Sequence, residues 1–213
     1  MIANIQEPTF FIMAVTSASG ITDLRQIVEK RMPVKVVSNR GIGGLITPTV
    51  LEYYGLTEEE LKSFGGAFAG SLTPQTEGNV FIGFGSVANI PEFGLFHQAA
   101  QRYELRYLEM APDLKTKLMK QFNLEEGKIP VGLFGKVKES VPTLTRMGTV
   151  VYGRTDMPED FAYTLAKALD EDQELMAWTQ MNWSYNRHTV WKAFDVPLHP
   201  GAARYYKEVG YMK

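Results

Sequence analysis

The sequence predicts an α/β fold, in which short buried strands alternate with amphipathic helices and a helical segment completes the C-terminal part. Apolar runs rich in β-branched and aromatic residues, such as Phe10–Val15 and Val80–Phe84, recur between segments with helical spacing of apolar residues. From Pro158 onward the strand pattern does not return, and Phe161 and Leu165 follow the four-residue spacing of a helix. We therefore expect a sheet with helices packed on it, followed by helices alone.

The first elements follow in the order strand, helix, strand, helix. Residues 9–15 are apolar and predict a buried strand, and residues 24–28 place apolar side chains on one helical face. Residues 34–37 predict a second strand, which leads into a glycine-rich turn at 38–44. The apolar stretch that follows, up to residue 54, predicts the next helix.

The alternation continues along the rest of the chain. Thr57 and Glu60 match a capping box and predict the start of a short helix. Pro91 is suited to the first position of a later helix. An N–H at that position has no partner within the helix, so the helix loses nothing when proline lacks it. The further elements expected are strands at 80–84, 105–109 and 148–152 and helices at 91–103 and 112–122.

Length, charge and cysteine content exclude several classes of protein. The chain of 213 residues suffices for one large domain or two lobes, and 45% hydrophobic residues with 22% charged ones are usual for a globular protein. The 22 basic and 24 acidic residues leave a net charge of -2, so no basic field favours nucleic acid or anionic lipid as a partner. The absence of cysteine excludes disulfides, thiolate nucleophiles and thiolate metal ligands.

The N-terminal sequence predicts neither a membrane span nor a signal peptide. Its longest apolar stretch, Phe10–Val15, is far shorter than the ~20 residues that cross a bilayer. Residues 1–7 lack the basic start and the apolar run of a signal peptide. We therefore expect no direct membrane insertion, and either a cytoplasmic protein or an export signal outside this chain.

The glycine-rich turn at 38–44 is the first candidate ligand site. A strand that runs through such a turn into a helix presents free backbone N–H groups at the helix N-terminus, where an anion binds favourably. We expect a carboxylate at this position, with Arg40 adding positive charge. The expected donors are Ser38, Asn39, Gly43 and Gly44.

Two other interpretations of this turn remain open. One is a dinucleotide-binding fingerprint, which would need a third glycine where Ile46 stands. It would also need an acidic residue at the end of a second strand, whereas the next acidic residues, 58–60, open a helix. A phosphate-binding loop is excluded, because no Gly-Lys-Ser/Thr sequence follows. The simplest alternative is that the glycines only permit close packing of helix and strand.

The end of the strand at 80–84 is the second candidate ligand site. In open α/β sheets the ligand crevice lies outside the carboxyl ends of the strands, so this strand end and the turn at 38–44 should face the same crevice. Phe84, Ser86 and Val87 would then contact the apolar body of the ligand. Ser86 does not stand in the Gly-x-Ser-x-Gly order of a nucleophile elbow. Alternatively, Phe84 points into the core.

No group of residues has the spacing of a catalytic or metal site. His97, His188 and His199 share no metal-type spacing, and each is expected to have a structural role. An acid, a base and a nucleophile do not combine into a recognisable set, and no cofactor motif is present. We therefore expect a binding protein that uses neither cofactor nor metal.

Two C-terminal segments carry a resemblance to a known family. Residues 149–160 (TVVYGRTDMPED) and 197–210 (PLHPGAARYYKEVG) are similar to the returning strand and the ending of the TAXI family of TRAP-transporter solute-binding subunits. The turn at 38–44 falls in the same order as in that family. The chain departs from the family pattern in two places. Residues 41–44 are Gly-Ile-Gly-Gly instead of Gly-Ser-Gly-Thr, and residues 79–82 lack the family's usual acidic residue.

The resemblance implies a type II periplasmic-binding-protein fold, with two α/β lobes joined by crossing strands and a ligand in the cleft between them. Residues 16–146 would be the second, complete α/β lobe. Residues 1–15 and 147–213 would supply hinge strands and the C-terminal helical part of the first lobe. Because the chain opens at the expected hinge, we expect the N-terminal part of the family's first lobe to be missing from it.

The function implied by the resemblance is extracytoplasmic solute binding, in the periplasm or its equivalent. The protein would capture a small organic acid and present it to the membrane subunits of a TRAP-type secondary transporter. The missing acidic residue favours a simple carboxylate or keto acid over an amino acid. Two alternatives are a small-molecule-binding enzyme of doubly wound α/β fold and a sensor module with the same bilobal fold; ligand turnover would distinguish the enzyme.

Overall fold

The computed structural model describes residues 1–5, 9–38, 42–70, 77–86, 94–135, 137–146, 150–172, 185–192 and 196–213. Within these residues the strands are β1 (Ala3–Asn4), β2 (Thr9–Thr16), β3 (Lys35–Ser38), β4 (Ala67–Ala69), β5 (Val80–Ser86), β6 (Leu105–Leu108), β7 (Glu125–Ile129), β8 (Val141–Arg146) and β9 (Val150–Val151). The helices are α1 (Arg25–Glu29), α2 (Ile42–Tyr53), α3 (Glu58–Ser63), α4 (Leu95–Arg102), α5 (Pro112–Phe122), α6 (Glu159–Glu171) and α7 (Pro200–Glu208).

The described residues divide into two compact units, which are considered separately. The sheet unit comprises Thr9–Arg146, and the tail unit comprises Met1–Pro8 with Met147–Lys213. The strand at 9–15, which we expected between two lobes, belongs to the sheet unit in this division. The assignment of residues 16–146 to one lobe of a bilobal fold stays a prediction.

The sheet unit is built on a mixed seven-stranded sheet of the described residues, in the order β4-β3-β5-β2-β8-β7, with β6 also paired to β2. β3 is parallel to both β4 and β5. β2 is antiparallel to β5, β6 and β8, and β7 is antiparallel to β8. The sheet is therefore parallel at one side and antiparallel at the other.

β2 occupies the middle of this sheet because it is apolar on both faces. Phe11 and Met13 belong to the hydrophobic cluster on one face, and Ile12 and Ala14 belong to the cluster on the other. A strand buried on both faces reads as a continuous apolar run instead of an alternating one. This explains why the sequence of residues 9–15 predicts a buried strand.

The backbone hydrogen bonds of β2 alternate between its two neighbours. The N–H of Thr16 donates to the C=O of Asn79 at 2.9 Å, which continues the pairing with β5. The N–H of Ser17 donates to the C=O of Glu104 at 2.7 Å, which continues the pairing with β6. Since the bonding direction alternates along an antiparallel strand, even-numbered residues of β2 bond toward β5 and odd-numbered ones toward β6 and β8.

Helices cover both faces of the sheet. On one face, Ile46 and Val50 of α2 and Leu114 of α5 join the cluster of Phe11. On the other face, Phe96 of α4 joins the second cluster. Thr57 caps α3 as predicted, since its side chain accepts a hydrogen bond from the N–H of Glu60 at 3.1 Å.

In the described residues of the tail unit there are a short antiparallel strand pair and two helices. β1 pairs with β9, and Ala162 and Ala202 bring α6 and α7 together in one hydrophobic cluster. Gly201 permits this approach, because a Cβ there would collide with the carbonyl oxygen of Glu159. His199 starts α7 as its N-cap, its Nδ1 accepting from the N–H of Gly201 at 3.2 Å.

The α/β fold class predicted from the sequence is confirmed. The expected helix at 91–103 is present as α4, although its predicted start at Pro91 lies outside the described residues. The sequence patterns do not predict β7 and β8, which extend the antiparallel side of the sheet. No helix in the described part of the chain is long and apolar enough to cross a membrane.

Candidate functional site

The parallel strands β3 and β5 end at the same edge of the sheet. Ser38, the last residue of β3, pairs with Ile82, and β5 continues beyond that point to Ser86. α2 begins at Ile42, shortly after β3 ends, so its N-terminus lies at this edge as well. Ligand crevices in open α/β sheets form outside the carboxyl ends of the strands, and this edge is therefore the candidate site.

Ser38 connects the strand end to the helix. Its side chain is buried, and its hydroxyl oxygen lies 2.8 Å from that of Thr47, which is buried in α2. Either hydroxyl can donate this hydrogen bond. Ser38 therefore fixes the position of the helix start relative to β3.

Gly43 and Gly44 of the turn lie inside the helix, which begins earlier than the sequence predicts. Gly43 and Gly44 belong to the first turn of α2, where backbone N–H groups have no partner within the helix. Pro48 stands inside the helix and has no N–H to donate to the C=O of Gly44. The first turn of α2 thus offers backbone N–H groups as donors and the C=O of Gly44 as an additional acceptor. Leu45, in the same turn, is 69% exposed.

Phe84 lies in the core, as the alternative interpretation proposed. Its side chain is only 9% exposed, and its ring meets that of Phe11 edge to face at a centroid distance of 5.3 Å. Ser86 ends β5, with its backbone opposite Thr9. Three further predicted site residues, Asn39, Arg40 and Val87, lie outside the described residues.

Arg146 is a candidate site residue that the sequence analysis missed. Thr9 pairs with Ser86 of β5 on one side and with Arg146 of β8 on the other, so the three residues form one row at this edge. The guanidinium carbon of Arg146 lies 6.0 Å from the centroid of the Phe84 ring, within the range of a cation–π contact. Because Ile46 shares a cluster with Phe84, Arg146 and α2 lie on the same face of the sheet.

The local sequence gives only a weak signal for Arg146. Its position at the site depends on the register between β2 and β8, and β8 is a strand that the sequence patterns did not predict. The alternation of Val141, Thr143 and Thr145 was the available hint, but Pro142 weakens it.

The arrangement suits an anion with an apolar body. The half-buried guanidinium of Arg146 provides a planar donor for a carboxylate, and the first turn of α2 provides backbone N–H groups. Within the described residues, no group of three or more His, Asp or Glu side chains could hold a metal ion. The donors at this edge can bind a negatively charged group.

An α/β sheet with anion donors at the carboxyl ends of its strands is typical of small-molecule-binding proteins. The sequence matches the NMT1-like family over residues 1–210, and the chain belongs to this family. The family is periplasmic-binding-protein-like and related to solute-binding proteins, in agreement with the mixed α/β fold. It is a family of binding proteins, and it indicates extracytoplasmic solute binding with a small-molecule ligand as the general function.

Proposed function

We propose that this chain is a TAXI-type subunit that captures a small organic acid and delivers it to the membrane subunits of a TRAP-type transporter. The observation that carries the proposal is the contact between Arg146 and Phe84 on the face where α2 begins. The guanidinium would bind the carboxylate, and the aromatic ring would keep the guanidinium in position. The family membership supports solute binding, and the C-terminal resemblance supports the transporter assignment.

The proposal keeps the ligand set predicted from the sequence and extends it. Ser38, Gly43 and Gly44 would hold the anion together with Asn39 and Arg40, and Arg146 would supply a second charge. Ser86 and Val87 would border the apolar part of the ligand, whereas Phe84, which lies in the core, would act only through its contact with Arg146. Residues 16–146 would form one lobe, with residues 1–15 and 147–213 providing hinge strands and part of the other.

The test is a calorimetric titration of the protein with a panel of monocarboxylates, keto acids, dicarboxylates and amino acids. We expect a carboxylate or keto acid to bind, and Arg146→Met to weaken its affinity by about 10- to 100-fold, the effect of losing a charge-assisted hydrogen bond. Arg31→Met is the matched control, because Arg31 also lies over a phenylalanine ring, that of Phe64 at 5.3 Å, and should leave affinity unchanged.

Two further results would contradict the site or the function. Unchanged affinity in both Asn39→Ala and Arg40→Ala would remove the turn from the site. Chemical conversion of the bound acid by the protein would favour an enzyme over a binding protein. Uptake of the same acid by membrane vesicles containing the transporter subunits, only when the protein is added, would support the transporter assignment.

A further inference from the structure

β6 borders a cavity of about 590 Å³ on the side away from β2. One wall consists of Leu105, Arg106 and Tyr107 of β6. The opposite wall consists of residues 137–139 and Val141. Among the described residues, β2 is the only strand paired with β6. β8 lies on the same side of β2 as β6, and its Val141 lines the cavity, so the unpaired edge of β6 is the one directed at the cavity.

The hydrogen-bond pattern determines which backbone groups of β6 face the cavity. The bond from Ser17 to Glu104 and the register place Arg106 opposite Val15 as the next bonded pair. The N–H and C=O groups of the two intervening residues, Leu105 and Tyr107, therefore point away from β2. The cavity wall thus presents two donors and two acceptors in the alternating order of a strand edge.

We propose that this cavity binds an extended peptide segment of a partner protein, which adds to the sheet as a strand next to β6. An extended backbone is the ligand that offers donors and acceptors at the spacing of both residues. A segment of about four residues matches the length of β6. Val137, Val141 and Leu105 provide apolar contacts for its side chains.

The charges and the shape of the cavity further define the segment. Glu104 and Glu139 offset Arg106 and Lys138, so the wall carries no net formal charge and fits an uncharged segment better than an acidic or basic one. Because of the wall opposite it, the edge of β6 lies inside the cavity and not on the outer surface. A second copy of this chain has an equally recessed β6, so two such edges cannot pair, whereas a free extended segment can enter.

This cavity is separate from the candidate ligand site. Its β6 wall, residues 105–107, pairs with residues 14–16 in the C-terminal half of β2, whereas the row with Arg146 lies at Thr9, the first residue of β2. Thr9 and Ala14 are five residues apart on this strand, which separates the two places by roughly 16 Å. The proposal therefore does not depend on the organic-acid ligand.

The first experiment measures amide hydrogen exchange of the full chain by NMR. In the free protein, the amides of Leu105 and Tyr107 are expected to exchange at least about tenfold faster than those of Arg106 and Leu108, which bond to β2. Equal protection of all four amides would show that the edge is already occupied and would overturn the proposal.

The second experiment adds a peptide probe, the acetylated and amidated tetrapeptide Val-Thr-Val-Thr. Its binding should slow exchange at Leu105 and Tyr107. Two N-methylated forms, one methylated at the first and third residues and one at the second and fourth, are compared with it. The N–H groups of only one of these two residue sets point toward β6, and methylation removes them as donors. One form should therefore bind at least about tenfold more weakly than the other. Equal binding of both forms, or no binding of the parent peptide, would refute strand addition.

A pair of variants locates the probe on the protein. Val141→Trp fills the cavity from the wall opposite β6 and should abolish protection of Leu105 and Tyr107 by the peptide. Val131→Trp places the same side chain at a 63% exposed valine outside the cavity lining and should leave peptide binding unchanged. Peptide binding that survives Val141→Trp would place the probe elsewhere and overturn the proposal.

Discussion

The two units of the molecule build their cores from different chemistry. In the sheet unit, the largest fully buried side chains include Phe11 and Phe81, which have no polar atoms. In the tail unit, the largest is Tyr206, whose hydroxyl donates to the C=O of Ile2 at 3.2 Å. In the sheet unit the largest buried side chains therefore contribute apolar area alone, and the buried hydroxyl bonds come from small residues such as Ser38 and Thr47. In the tail unit the largest buried side chain itself makes a directional hydrogen bond.

Asp170 is the centre of the hydrogen bonds in the tail unit. The hydroxyl of Tyr205 donates to its carboxylate at 2.6 Å, and that of Tyr211 donates at 3.1 Å. Burial and then the bond to Asp170 raise the pKa of Tyr205 above its ordinary value, which keeps this hydroxyl protonated as a donor. One carboxylate thus ties α6 to α7 and to the residues that follow α7, where small alanines provide little apolar area.

The largest expected effect is the loss of a ring from the sheet core. Phe11→Ala should lower the free energy of unfolding by about 3–5 kcal/mol, because it leaves a cavity on the central strand. Urea denaturation measures the loss, and hydrogen exchange of β2 amides assigns it to the sheet unit. Phe10→Ala is the matched control on the same strand, and it should cost less because Phe10 is only partly buried. Equal losses would contradict the burial described for these two rings.

The difference between the two cores also explains what the sequence could predict. The apolar run of residues 9–15 identifies β2, because burial on both faces depends on local composition. β7 could not be found in this way, because its Glu-Glu-Gly-Lys-Ile sequence is mostly exposed and has no strand alternation. The bonds to Asp170 join residues 35 and 41 positions apart, and no local pattern encodes such pairs.

The candidate site likewise combines features that the local sequence encodes with features that depend on residues distant in sequence. The ends of β3 and β5 could be predicted, because they depend on strand boundaries and on the general position of ligands in α/β sheets. The burial of Phe84 could not be predicted, since residues at a strand end point either to the crevice or to the core. Arg146 required the register of β8 against β2, which is set by packing of the whole sheet.

The next largest effect should come from the centre of the tail unit. Asp170→Ala removes the acceptor of two tyrosine hydroxyls and should lower the free energy of unfolding by about 2–3 kcal/mol. Asp170→Asn keeps one acceptor oxygen of the same shape and should lose only about 1 kcal/mol. Hydrogen exchange of the α6 and α7 amides measures the change in stability of the tail unit separately from the sheet unit. If both variants were as stable as the parent chain, these bonds would not hold the tail core together.

The smallest effect concerns a tyrosine of the sheet unit that lacks such a partner. The hydroxyl of Tyr107 is buried without a hydrogen-bond partner among the described residues, unlike those of Tyr205 and Tyr206. Removing it in Tyr107→Phe should therefore leave stability at pH 7 unchanged or raise it by up to about 1 kcal/mol. Tyr152→Phe, at a 74% exposed tyrosine, is the control for the same atomic change in solvent.

The pH dependence of Tyr107→Phe gives a sharper test than its stability at pH 7. Burial raises the pKa of Tyr107 from 10.0 to about 12, so about one pH unit or more below 10 the phenol is mostly neutral in both the folded and the unfolded chain and contributes little pH dependence. Between pH 10 and about 12 the unfolded chain releases this proton more readily, and the folded state loses stability as the pH rises. The parent chain should therefore lose more stability than Tyr107→Phe between pH 9.5 and pH 11, in urea denaturation series at the two pH values. Parallel losses in the two proteins would mean that the phenol ionises equally easily in both states, and so that its hydroxyl is solvated in the folded protein.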